Sequence, residues 1–308
     1  MKSGSNLEKV FAKGEWALTA ECGPPQGADV EVIKEKAKHL IGYVDAVNVT
    51  DNQTSIVRMS SIGASKILVD LGLEPVMQMV CRDRNRIAMQ SDIFGAYALG
   101  IRNMLCLTGD HQVFGNQQGS KNVYDLDSIQ LVSVVRTMRE EGKILGGVEI
   151  KGQPKMFIGA VENPFADPID FRPIRLAKKV KAGADFIQTQ CIYNMTRFRE
   201  FMKRVVDMGL HEKVHIMAGI APLKSLPMAQ YMATKVSGID LPKEILDRLE
   251  GVEKKDRAAE GIKIAIEQMQ EVRQIQGVHG VHLMAIEWEH RVPEIVKGAG
   301  LYPRPVVA

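Results

Sequence analysis

The stretch Leu176-Ala-Lys-Lys-Val-Lys-Ala-Gly183-Ala-Asp-Phe186-Ile-Gln-Thr-Gln190 contains a helix, its stop and a strand. Apolar residues recur at helical spacing through Ile174–Ala182. Gly183 suits a left-handed C-cap, and Phe186–Gln190 starts apolar and ends polar. A strand fed by a helix in this way belongs in a parallel sheet covered on both faces, with its polar end on an exposed rim.

The same unit recurs in both directions from there. Short apolar runs occur at Trp16–Glu21, Ala46–Thr50, Pro75–Val80, Asn103–Gly109, Met156–Glu162, Val214–Ile220 and Val281–Glu287. Amphipathic stretches separate them: Val30–Ile41, Ser60–Leu71, Ile87–Leu99, Ile129–Glu141 and Phe198–Val206. Gly72, like Gly183, follows a helix and feeds the next run. The seventh repeat is longer, with Leu223–Thr234, Pro242–Leu249 and Asp256–Arg273, and predicts an extra helix ahead of the usual outer one; Pro242 suits its first turn. Alternation on this scale predicts an α/β fold, a (β/α)8 TIM barrel with residues 1–308 as a single catalytic domain. An open eight-stranded sheet is the competing arrangement. No Gly-x-Gly-x-x-Gly follows any run, so a Rossmann site is not expected.

Composition agrees with an ordinary globular enzyme. The chain is 45% hydrophobic and 25% charged, and its net charge of +3 is too small and dispersed for a nucleic-acid surface. Met1–Val10 has no apolar signal-peptide core and no run is long enough for a membrane span, so a cytoplasmic protein is expected. Cys22, Cys81, Cys106 and Cys191 lack C-x-x-C spacing. Three of them sit at or just after apolar runs, where Cys behaves as a small buried hydrophobe; a four-thiolate metal site is the alternative.

A barrel gathers its carboxyl strand ends into one site. Here those ends are polar: Glu21, Thr50-Asp51-Asn52, Gln78 with Arg82-Asp83, Gly109-Asp110-His111, Glu162-Asn163, Gln188-Thr189-Gln190 and Glu287. A single such residue is ordinarily a solvated loop residue, but seven converging on one rim form a candidate active site.

Several of these segments resemble the methylenetetrahydrofolate reductase family. They are Thr19-Ala-Glu21-Cys-Gly-Pro-Pro25, Val49-Thr50, Leu107-Thr-Gly-Asp110, Glu162-Asn-Pro164, Ala182-Gly-Ala-Asp-Phe-Ile-Gln-Thr-Gln190 and Ala218-Gly-Ile-Ala-Pro222, in family order over nearly the whole chain. The resemblance implies a flavoprotein of one-carbon metabolism and methionine biosynthesis. It would use FAD, with FMN as the alternative, to reduce methylenetetrahydrofolate to methyltetrahydrofolate. Hydride would pass from the reduced flavin N5 to the substrate methylene carbon. Glu21 matches the general acid; ring opening needs a proton on a folate nitrogen, and a partly desolvated carboxyl beside Pro24 and Pro25 suits that task. Asp110 matches the aspartate near flavin and pterin, where a carboxylate stabilises a cationic iminium; capping its own loop is its alternative role. Gln190 matches the pterin-binding glutamine. Thr50, Gly109, Tyr124, Asn163 and Lys179 correspond to cofactor-contacting positions, and Lys179 also reads as a solvated helix residue. The loop Phe114–Lys121, with Gly115 and Gly119, reads as a cofactor clamp or simply as a flexible loop. The family is generally oligomeric.

The sequence departs from the family in places. Thr108 stands where Arg is common, and Cys191-Ile-Tyr193-Asn194 replaces an aromatic run. Strand eight ends in Ala285-Ile-Glu-Trp-Glu-His290 rather than Leu-Asn-Arg, which leaves direct NADH or NADPH use open. Two other readings follow. One is a pterin-binding barrel of a corrinoid methyltransferase using Asp51, Asn52 and Asn163; the other is a flavin subunit fed by an electron-transfer partner. Glu287 and His290 have the spacing of a metal pair, but a surface arrangement is the reading taken, and no metal is assigned.

Overall fold

The computed structural model describes residues 1–236 and 238–307. Its eight parallel strands close in chain order into a barrel. They are β1 Ala17–Cys22, β2 Ala46–Val49, β3 Pro75–Val80, β4 Asn103–Leu107, β5 Phe157–Glu162, β6 Phe186–Cys191, β7 His215–Ile220 and β8 Gly280–Leu283. An N-terminal helix, α1 (Asn6–Ala12), precedes them. The outer helices are α2 Val30–Lys38, α3 Ser61–Asp70, α4 Arg86–Ala98, α5 Ser128–Glu140, α6 Arg172–Ala182, α7 Met195–Asp207, α8 Leu226–Lys235, α9 Lys243–Glu250, α10 Arg257–Val272 and α11 Val292–Gly298. The open-sheet alternative is excluded, because β1 pairs with both β2 and β8.

Strand alternation splits the core in two. Residues such as Leu18, Ala20, Val47, Val49, Met77 and Ile187 face the helices in the main hydrophobic cluster. The alternate residues Ala17, Ala46, Val76, Leu105, Phe157, Phe186 and Met217, one from each of seven strands, fill the amino-terminal end of the barrel. Leu7, Val10 and Phe11 of α1 close that end, with the Phe11 ring stacked on His215 at 4.2 Å. Two residues further along, the interior becomes polar: Thr19, Asn48, Gln188 and His282 are all buried there. Glu21 and Thr50 form the next step, at the mouth.

The elements follow the local chemistry. Gly183 adopts φ 115° as the C-cap of α6, and Gly72 takes φ 78° after α3. The expected insertion in the seventh repeat is present, and it comprises two helices, α8 and α9, ahead of α10. Pro242 is the N-cap of α9, one position before its first turn. β2 ends one residue early, at Val49, and two runs end earlier by two residues or more. β4 stops at Leu107, because Gly109 turns the chain at φ 92°. β8 stops at Leu283; the Trp288 amide then donates back to the Ala285 carbonyl in a turn that holds Glu287 at φ 50°. No helix among the described residues is long and apolar enough to cross a membrane.

Candidate active site

Glu21 is a buried carboxyl at the mouth. It is 5% exposed at the inner end of β1, and its Oε1 has no hydrogen-bond partner. Burial raises its pKa to about 7; Glu289 and Glu287 add to that, while Lys36 and Arg58 oppose it. His282 Nε2 lies 3.9 Å from Glu21 Oε2. A carboxyl so placed holds its proton near neutral pH, as a general acid must.

Glu21 lines a cavity of about 280 Å3 together with Thr50, Asn52, Gln78, Arg82, Gly109 and Asp110. The barrel therefore brings together four of the residues singled out from the sequence: Glu21, Thr50, Gly109 and Asp110. The Thr50 hydroxyl is buried without a partner. Asp110 is exposed, and its carboxylate accepts from the Thr54 amide at 3.2 Å. Tyr124 lies alongside, its hydroxyl donating to the Gly109 carbonyl at 3.3 Å. Arg82, read from the sequence only as one of the polar rim residues, binds the loops together: it donates to the carbonyls of Asp110 at 3.0 Å and Asn52 at 3.2 Å and pairs with Asp83 at 2.7 Å. Among the described residues, the non-glycine residues with positive φ are Asn52, Thr54, Ser55, Tyr124 and Glu287, and all lie in connections beyond carboxyl strand ends. Gly115 permits the closest approach of two of these loops, since a Cβ there would lie 1.8 Å from the Ser55 carbonyl oxygen.

Asn163 and Lys179 fall in an adjoining cavity of about 260 Å3, with Thr108, Ser128, Arg172 and Arg175; Leu107 borders both spaces. Lys179 is not solvated. It is 4% exposed, donates to the Val161 carbonyl and pairs with Glu162 at 2.6 Å. Burial pulls its pKa down and Glu162 pulls it back up. The Arg172 Nε is buried and without a partner. Gln190 lines neither cavity; its side-chain oxygen accepts from the Cys191 amide at 3.0 Å.

Asp51 also lines the Glu21 cavity, but its carboxylate is engaged, accepting from the Val80 amide at 3.0 Å and pairing with Arg84 at 2.7 Å. Glu287 pairs with Lys36 at 2.8 Å rather than with His290, whose ring lies 6.2 Å from that of His39. The four cysteines are free and buried, and burial pushes the thiols of Cys22, Cys81 and Cys191 up to about 12.

The methylenetetrahydrofolate reductase family model matches residues 6–300. The chain belongs to this family. A probable methylenetetrahydrofolate reductase (NADPH) of Caenorhabditis elegans is 26% identical over 253 residues, covering 82% of this chain and 36% of the relative. Methylenetetrahydrofolate reductase (NADH) 1 of Arabidopsis thaliana is 25% identical over 319 residues, covering 98% of this chain and 51% of the relative. The chain thus spans about a third to a half of these relatives, whose names differ in their nicotinamide. Among solved structures, an uncharacterized Clostridium thermocellum protein that binds two copies of 5-methyl-5,6,7,8-tetrahydrofolic acid superposes with a TM-score of 0.61 at 15% identity, covering 96% of this chain and 98% of that one. That likeness shows that the chain shares the barrel fold.

Proposed function

We propose that this chain catalyses the flavin-dependent reduction of methylenetetrahydrofolate to methyltetrahydrofolate, with Glu21 as general acid. The observation that carries this reading is Glu21 itself, a buried strand-end carboxyl with one partnerless oxygen and a pKa near 7 in a cavity shared with Asp110. Glu21 protonates a folate nitrogen, opening the ring to the iminium, and Asp110 stabilises that cation. Gln190 reaches a pterin edge once it releases the Cys191 amide.

The residues present suit a flavin. The partnerless Thr50 hydroxyl faces one cavity, and the partnerless Arg172 Nε, with Arg175, supplies anion-binding capacity in the next. Adjoining cavities suit the length of FAD better than FMN. Thr50, Gly109, Asp110 and Tyr124 would hold the ring end, and Asn163, Arg172 and Arg175 the phosphate end. Lys179, already paired with Glu162, shapes that second cavity rather than meeting a phosphate directly. Bound flavin supplies the two-electron reduction.

The test is spectroscopic and kinetic. Purified protein should carry flavin absorbance that a reductant bleaches and methylenetetrahydrofolate restores; flavin-loaded protein that this substrate never reoxidises sinks the proposal. Glu21→Gln should retain flavin yet lose folate turnover by about 10²-fold or more, the scale of general acid catalysis.

A second reading concerns only the electron source. Lys36, Glu287 and Glu289 place an ion cluster where strand eight meets the mouth, which favours electrons arriving from a partner protein over a nicotinamide bound there. NADH oxidation by the isolated chain at the rate of folate turnover removes this reading. The corrinoid alternative gains no support at Asp51, which is committed to Arg84.

A further inference from the structure

We infer that His282 is a positioning residue for Glu21. A hydrogen-bond chain through the barrel interior holds its imidazole as the Nε2–H tautomer facing Glu21 Oε2, which keeps the acidic proton on Oε1. The inference rests on the reading of Glu21 as the acid.

The chain begins at two facing amides. Asn48 Nδ2 donates to Gln188 Oε1 at 2.7 Å, and Gln188 Nε2 returns a bond to Asn48 Oδ1 at 3.0 Å. The second N–H of Gln188 donates to Thr19 Oγ1 at 3.1 Å. Thr19 Oγ1 lies 2.9 Å from His282 Nδ1, and the hydroxyl proton is assigned to that contact, since Oγ1 already accepts from Gln188. Nδ1 is therefore an acceptor, and a neutral ring carries its proton on Nε2. Burial keeps the ring neutral, pulling its pKa down to about 3. Reversing both amides would reverse every donor and set an Nε2 lone pair toward Oε2, drawing the Glu21 proton onto that oxygen, so the tautomer of His282 separates the two arrangements.

The 3.9 Å gap to Oε2 is about 0.7 Å beyond hydrogen-bond range, and catalytic contacts of this kind commonly tighten when substrate binds. An N–H at Oε2 cannot take the Glu21 proton; it leaves that proton on Oε1, which is buried without a partner. The same N–H favours the ionised carboxyl, and so joins Lys36 and Arg58 against burial, Glu289 and Glu287. The neighbouring thiols of Cys22 and Cys191 stay neutral, their pKa values pushed up to about 12.

Two measurements decide the matter, neither needing turnover. In flavin-loaded protein labelled with 15N-histidine, His282 should show the Nε2–H tautomer between pH 6 and 8. An Nδ1–H ring or an imidazolium overturns the inference. The Glu21 ionisation midpoint, followed by carboxyl infrared difference spectra assigned with Glu21→Gln, should rise by about one pH unit in folate-bound His282→Leu. His282→Gln, which keeps an N–H donor, should restore most of it. An unmoved midpoint in folded His282→Leu overturns the inference, and the wild-type tautomer decides the case if that variant does not fold. Full turnover by Glu21→Gln would reject the general-acid reading separately, whatever the tautomer.

Discussion

Gly109 shows how a single residue shapes the mouth. Its φ of 92° favours glycine, and a Cβ there would lie 3.0 Å from Val80 Cβ and 3.2 Å from Arg82 Cβ. Gly109→Ala should therefore lose about 1–3 kcal/mol of stability and bind flavin less tightly; a variant as stable as the parent in urea would contradict this account. Lys179 poses a different question, because its ammonium is sequestered with a carboxylate that is itself 1% exposed. Lys179→Met leaves Glu162 with Arg172 at 4.0 Å as its remaining ion partner. A loss of about 3–5 kcal/mol is the expected result. Flavin loss at unchanged stability would instead return Lys179 to direct cofactor contact. Glu21 was legible in the sequence because a carboxyl at the end of an apolar run stands out. Asn48 and His282 were not, because both faces of these strands are buried and alternation alone does not mark the inner one.

At the scale of elements, the N-terminal helix is the clearest omission of the sequence reading. Met1–Val10 looked merely polar, yet Ser5 caps α1 by accepting from the Glu8 amide, and Leu7, Val10 and Phe11 fall at helical spacing. That signal is short, and its apolar face has meaning only against the barrel floor it covers. Phe11→Ala should lower unfolding free energy by about 3–5 kcal/mol, since the ring packs on both His215 and Phe157. A loss below about 1 kcal/mol would mean that α1 is not part of the core. Strand boundaries failed for a similar reason. Met284 to Glu287 continue the apolar pattern of β8, but a turn closing on Ala285 ends the pairing.

The whole molecule has a pH response set by groups whose interior placement no local pattern shows. His282 and His215 are buried neutral with pKa values lowered to about 3 and about 4, and His279 is lowered as well. Their contribution is present above the ordinary value of 6.5 and is lost as pH falls toward the folded values. Glu21 has the opposite sign: its contribution is complete below 4.5 and is lost as pH rises through about 7. The urea midpoint should accordingly fall between pH 7 and 5, where three histidines lose stability against one carboxyl that gains it, and fall more steeply below pH 4.5, where Glu21 no longer offsets them; a midpoint that rises from pH 5 to pH 4 would refute this. The sequence by itself determined the eightfold βα alternation and the polar strand ends carrying Glu21, Thr50, Gly109 and Asp110, because hydrophobic period and capping are local properties; closure into a barrel rather than an open sheet was decided by the pairing of β1 with β8. Only the tertiary structure decided which rim residues share a cavity, that Lys179 is bound to Glu162, and that His282 sits behind Glu21. Those outcomes depend on barrel closure and register, which bring residues hundreds of positions apart within a few ångströms and set whether each charge meets water or another charge.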